Sequence, residues 1–252
     1  MKLKFSIVIL AAALVLSGCQ SEADKDMALI AVATNFRTTF EKLETVFERE
    51  TDFEITQVSG ATGSLYTQIV NGAPYHAFLS ADQARPTALE KAGHASERFV
   101  YARGALALWS KSEDILSLPF ADIVSDNAFK PLAIANPALA PYGKAAQDVF
   151  TAFGGDTKDR LVMGENVGQA FALVQSGNAR AGFVALADAQ RVQNGFYVTV
   201  PSELYTPIRQ DAVVLARGEN HGAARAFLDF LKSQKAQSLI AADGYTLETA
   251  SP

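Results

Sequence analysis

One cysteine and three histidines are all that this chain of 252 residues offers in thiolate or imidazole metal ligands. A single thiol, Cys19, excludes an intramolecular disulfide. His76, His94 and His221 are scattered and lack metal-ligand spacing, so each is read as structural or solvated. No Gly-x-Ser-x-Gly is present, which removes the nucleophile elbow. The Gly-rich stretch Ser59-Gly60-Ala61-Thr62-Gly63-Ser64 has neither the lysine nor the loop length of a P-loop. With no nucleophile–base pair and no metal constellation, the chain is expected to be no enzyme and to need no cofactor. Positive charge is also scarce. The 22 basic residues are outnumbered by 27 acidic ones, which argues against nucleic acid as a partner.

The only long apolar run lies at the start, and it is too short to cross a bilayer. Lys2 and Lys4 precede residues 5–16, an apolar segment of the length found in signal peptides. Leu16-Ser17-Gly18-Cys19 then resembles a bacterial lipobox. Residues 1–19 are read as a lipoprotein signal peptide ending at a lipidated Cys19, and polar residues 20–27 as a tether. Without Lys2 and Lys4 the body carries 20 basic against 27 acidic residues, a net charge near −7. An anionic ligand would have to be held by local geometry.

From residue 28 on, apolar runs alternate with helical stripes. Residues 28–33, 53–58 and 76–80 are read as strands. Phe36, Phe40, Leu43 and Phe47 share one helical face, residues 64–70 form a helix stopped by Asn71-Gly72, and residues 83–92 one stopped by Gly93. The second half repeats the theme. Strands are expected at 132–135, 181–186 and 197–200, helices at 144–153 and 169–175, and amphipathic helices at 223–231 and 236–242. Two long β-rich runs, 99–109 and 205–216, suit crossings between lobes. The expectation is an α/β fold of two lobes with mostly parallel sheets and a hinge of two crossing strands. Lobe 1 is placed at 28–104 and 208–252, and lobe 2 at 105–207.

Four helix starts follow strands: Thr34-Asn35, Ala61-Thr62-Gly63, Pro141-Tyr142-Gly143 before the helix at Lys144, and Asn166-Val167-Gly168. Such starts expose unpaired N–H groups and gather at the carboxyl edge of an α/β sheet, where ligands bind. Thr34, Asn35, Thr62 and Asn166 are also ordinary N-cap residue types, and that alone explains each one separately.

Those same segments carry a resemblance. Ala33-Thr34-Asn35-Phe36, Ser59 to Ser64, Gly72-Ala73-Pro74 and Ser80-Ala81-Asp82 resemble the first lobe of the molybdate-binding proteins of ABC importers. Asn136-Pro137, Ala140-Pro141-Tyr142-Gly143, Asn166-Val167-Gly168-Gln169-Ala170 and Gly182 to Ala187 resemble the second. The resemblance implies the type II periplasmic binding protein fold and an oxyanion, molybdate or tungstate, clamped between lobes by uncharged donors. Carried over, those donors are Thr34, Asn35, Thr62 and Tyr142, with Val167 acting through its backbone N–H. It also implies an ABC importer permease as partner and an exported, monomeric protein. Many members of the family have a tyrosine where this chain has Ala185; here Tyr142 resembles the variant that supplies the phenol from the proline-rich turn. A fully ionised tetrahedral dianion only accepts hydrogen bonds, so a site of donors without carboxylates suits it, whereas monohydrogen phosphate calls for an acceptor. Sulfate is the competing tetrahedral ligand; a sensor domain or an enzyme on the same fold is the competing role.

Overall fold

The computed structural model describes residues 27–125, 129–154 and 159–248. Cys19, the signal peptide and all of the tether except Met27 lie outside the described residues. Strands β1 (Met27–Ala33), β2 (Glu54–Gly60), β3 (Ala77–Leu79), β4 (Ala95–Gly104) and β10 (Ile208–Leu215) form one sheet, ordered β2-β1-β3-β10-β4. Strands β5 (Leu106–Ser110), β6 (Leu132–Ala135), β7 (Leu161–Gly164), β8 (Ala181–Ala185) and β9 (Phe196–Thr199) form the other, ordered β7-β6-β8-β5-β9. β1 takes in Met27, one residue before its expected start.

Both sheets are mixed. Three strands on one side of each are parallel, β2-β1-β3 and β7-β6-β8, and the other two pair antiparallel. The reversed strands are β10 and β5: by each of them the chain enters a sheet from the other lobe, and each runs against both of its neighbours. The β-rich run 99–109 is two strands, not one: β4 ends at Gly104 and β5 starts the other sheet at Leu106. Between them the Ala105 carbonyl accepts from Leu186 N–H at 2.9 Å. The chain returns through residues 200–207 to β10.

Helices cover the sheets: α1 (Arg37–Glu50), α2 (Thr62–Val70), α3 (Ala84–Lys91), α4 (Phe120–Ser125), α5 (Pro141–Ala152), α6 (Val167–Gln175), α7 (Leu186–Arg191), α8 (Gly222–Lys232) and α9 (Gln234–Ala242). None among the described residues is long and apolar enough to cross a membrane. The expected stripe on α1 is buried: Phe36, Phe40, Leu43 and Phe47 are each at most 1% exposed. Phe40 and Phe47 meet Phe227 of α8 edge-on at 5.2 and 5.5 Å, and Phe36 meets Tyr101 of β4 at 4.8 Å. Each such ring contributes about 2–3 kcal/mol by burial, which fixes α1 and the turn before it against the sheet. Gly72 and Gly93, at φ 86° and 72°, end α2 and α3 in the left-handed conformation their sequences announce.

Candidate functional site

The parallel strands of both sheets deliver their carboxyl ends to one cleft, and helices start there. Thr34 and Asn35 open a 3₁₀ turn, Thr34–Phe36, that feeds α1. Thr62 is the first residue of α2, and Val167 the first of α6. Tyr142 is the second residue of α5, which begins at Pro141 and not at Lys144, so the phenol comes from a helical first turn. Three N-cap positions are alanines (Ala33, Ala61 and Ala140) with no side-chain cap. Thr34, Asn35 and Thr62 are therefore not the caps; they stand inside the first turn. Only Asn166 caps, its Oδ1 accepting from Gln169 N–H at 3.0 Å. An alanine cap leaves first-turn N–H groups without a side-chain acceptor, available to something else.

The hydroxyls are similarly uncommitted. Thr34 Oγ1 and Tyr142 Oη are buried and have no hydrogen-bond partner. Thr62 Oγ1 accepts from Ala81 N–H at 3.3 Å, which leaves its own proton to donate. Burial holds the Tyr142 phenol well above its usual pKa, with smaller contributions from Tyr245 and Asp188, so it is a protonated donor at neutral pH. Asn35 is different. Its Nδ2 donates to Gln210 Oε1 at 2.9 Å and to Tyr245 Oη at 3.2 Å, and its carbonyl accepts from Tyr245 Oη at 2.6 Å. Both amide protons are spent inside the first lobe, so its remaining donor is the backbone N–H.

The lobes are closed over these groups. Gly63 N–H donates to the Leu139 carbonyl at 2.8 Å, Ser64 Oγ to Glu165 Oε1 at 2.7 Å, and Arg85 Nη2 to the Ala138 carbonyl at 3.0 Å. Ala33 and Ala81 of the first lobe share a buried cluster with Ala140, Tyr142, Val167 and Ala185 of the second. A Cβ on Gly168 would fall 2.5 Å from Thr34 Cγ2, and one on Gly104 only 2.0 Å from Tyr142 Oη. Thr34, Tyr142 and Val167 thus stand at the lobe junction, and Asn35 and Thr62 are each next in sequence to a residue that does. Beside them opens a cavity of about 370 Å³ lined by Thr34, Arg37, Gly168, Phe171, Asp188 and Arg191 among others. Burial pushes the Asp188 carboxyl up to about 6, opposed by Arg191 and Arg37. Asp188 accepts from Arg191.

His76 is structural, as read: its Nδ1 accepts from Leu29 N–H at 2.9 Å and its ring lies 4.1 Å from that of His221. The expectations missed Gln210, Tyr245 and Gly104. A signal for the first was present, since Arg209-Gln210-Asp211 interrupts an apolar strand; Gln210 and Asp211 are both fully buried.

Two α/β lobes of matching topology, closed on a cleft at their strand ends, define a two-lobed periplasmic binding protein. Residues 28–246 match the family described as bacterial extracellular solute-binding protein, and the chain belongs to it. It is 41% identical to the molybdate-binding protein ModA of Azotobacter vinelandii, over 98% of this chain and 100% of the relative. It is 38% identical to that of Rhodobacter capsulatus, over 87% of this chain and 88% of the relative. The solved periplasmic molybdate-binding protein of A. vinelandii superimposes with a TM-score of 0.82 at 37% identity, covering 88% of this chain and 100% of the other.

Proposed function

We propose that the protein captures molybdate or tungstate in the interlobe cleft and delivers it to the permease of an ABC importer. Thr34, Asn35, Thr62, Tyr142 and Val167 supply the donors, Asn35 and Val167 through backbone N–H groups. The observation that carries this reading is the pair of buried, partnerless hydroxyls, Thr34 Oγ1 and Tyr142 Oη, one from each lobe, on residues at the lobe junction. A buried hydroxyl left unmade is costly, and an acceptor-only dianion would satisfy it. None of the five is charged, so hydrogen bonds and helix starts offset the dianion's lost hydration. The names of the relatives support the choice of ligand. The role is binding without catalysis. The protein is exported, acts as a monomer, and is held to a membrane by lipid on Cys19.

Calorimetric titration of the purified protein with molybdate, tungstate, sulfate and phosphate tests the assignment. Molybdate and tungstate should bind tightly, sulfate weakly, and phosphate hardly at all, because its proton meets no acceptor. Phosphate binding at concentrations comparable to molybdate would overturn it.

A further inference from the structure

Gln210 lies in the middle of β10 and is fully buried. Its Oε1 accepts from Asn35 Nδ2 at 2.9 Å and lies 3.1 Å from Tyr101 Oη, whose one proton has a second acceptor in the Ser80 carbonyl at 3.2 Å. Asn35 fixes which way round the carboxamide sits, because an NH₂ group in that place would face another NH₂ group. Nε2 is therefore turned the other way, where it has no partner, and Tyr142 Oη has none either. Both atoms crowd the same side of Gly104: a Cβ there would fall 2.9 Å from Gln210 Nε2 and 2.0 Å from Tyr142 Oη. Gly104 ends β4, where the chain first leaves the lobe, so the phenol of one lobe and the carboxamide of the other meet beside the hinge.

We infer that Gln210 is the positioning residue of the cleft: when the anion draws the Tyr142 phenol into place, Gln210 Nε2–H, unbonded in the closed structure, donates to the phenol oxygen and leaves the single phenolic proton for the anion. The inference rests on the reading that Tyr142 faces the ligand. A phenol has one proton and gives it to whichever acceptor is nearest. A carboxamide oxygen at the place of Nε2 would take that proton; a nitrogen cannot. Donation into the phenol oxygen also polarises its O–H bond and strengthens the next hydrogen bond in the chain. Gln210 thereby ties Asn35 to Tyr142 across the lobes without touching the anion.

A double-mutant cycle read by calorimetry with sodium molybdate tests it. Tyr142→Phe and Gln210→Met should each raise Kd about tenfold or more. Added on top of Tyr142→Phe, Gln210→Met should cost less than about twofold, since its effect passes through the phenol. The same fold loss in both backgrounds overturns the inference, as does a wild-type Kd for Gln210→Met. An unchanged Kd for Tyr142→Phe removes the site reading as well, whereas additive losses leave that reading standing and remove only the role of Gln210. Gln210→Glu serves where Gln210→Met fails to fold. It keeps an oxygen for Asn35 and Tyr101 but takes the phenol's proton, so it should fold and bind more weakly than Tyr142→Phe; wild-type affinity overturns the inference.

Discussion

Thr62 has two tasks in the closed cleft, and they separate cleanly by substitution. Its oxygen accepts from Ala81 N–H, and its proton is left over. Thr62→Val keeps the shape and loses both, so molybdate affinity should fall by about tenfold or more in a calorimetric titration, while Thr62→Ser should stay near wild type. Gly104 makes a complementary prediction. A methyl group there would collide with the Tyr142 phenol of the other lobe, at 2.0 Å, and crowd Gln210 Nε2 of its own, at 2.9 Å. Gly104→Ala should therefore raise Kd in the same titration; an unchanged Kd would show that binding does not need Tyr142 against Gly104. Thr34, Thr62 and Tyr142 were legible as candidates because each follows a strand, sits at a helix start and falls in a motif of the family. What Asn35 does was not legible. Its amide partners stand at 210 and 245, and no local pattern says that both protons are already committed.

The starts of α2 and α5 were placed two and three residues late for a physical reason. Polar side chains near a start read as caps, yet α2 and α5 begin behind alanines, and Pro141 suits a first helical position. Helix ends were read correctly, because Gly72 and Gly93 need a backbone conformation that few other residues accept. That the sheets are mostly parallel was legible; which strand is reversed in each, β10 and β5, was not, because direction follows from where the chain crosses between lobes, which apolar periodicity does not encode. Along α1, Glu44 lies about one turn from Glu41 on one side and from Glu48 on the other. Burial first, then Glu48 and Glu41, raise the Glu44 carboxyl from 4.5 to about 7. A raised carboxyl destabilises the fold only where it must ionise: the penalty is absent below pH 4.5, grows through that interval and is complete above about pH 7. Glu44→Gln should therefore stabilise the protein at pH 8 by about 0.5 kcal/mol, a figure kept small by solvent screening, and have no effect at pH 4. Urea unfolding at the two pH values checks this; equal gains at both would contradict the assigned cause.

Closure of the whole molecule depends on a few polar bonds between lobes. Ser64 and Glu165 form one of them at the cleft rim. Removing it with Ser64→Ala should favour the open form and speed molybdate release by a few-fold to about tenfold, measured by stopped-flow displacement, with little change in association rate. An unchanged release rate would make that bond incidental. The proposed anchor is tested separately: Cys19→Ser should move the protein from membranes to the soluble extracytoplasmic fraction, and retention of the processed variant on membranes would refute lipidation at that residue. The place where β1 begins gives the anchor a geometric meaning. β1 runs inside its sheet, flanked by β2 and β3, with Met27 at one end and Ala33, next to Thr34, at the other. Seven residues of strand at about 3.3 Å each put roughly 20 Å between them. With the proposed lipid on Cys19, a leash fastened to Met27 would hold the lobe by its far pole and leave the mouth and both rims free to swing toward a transporter.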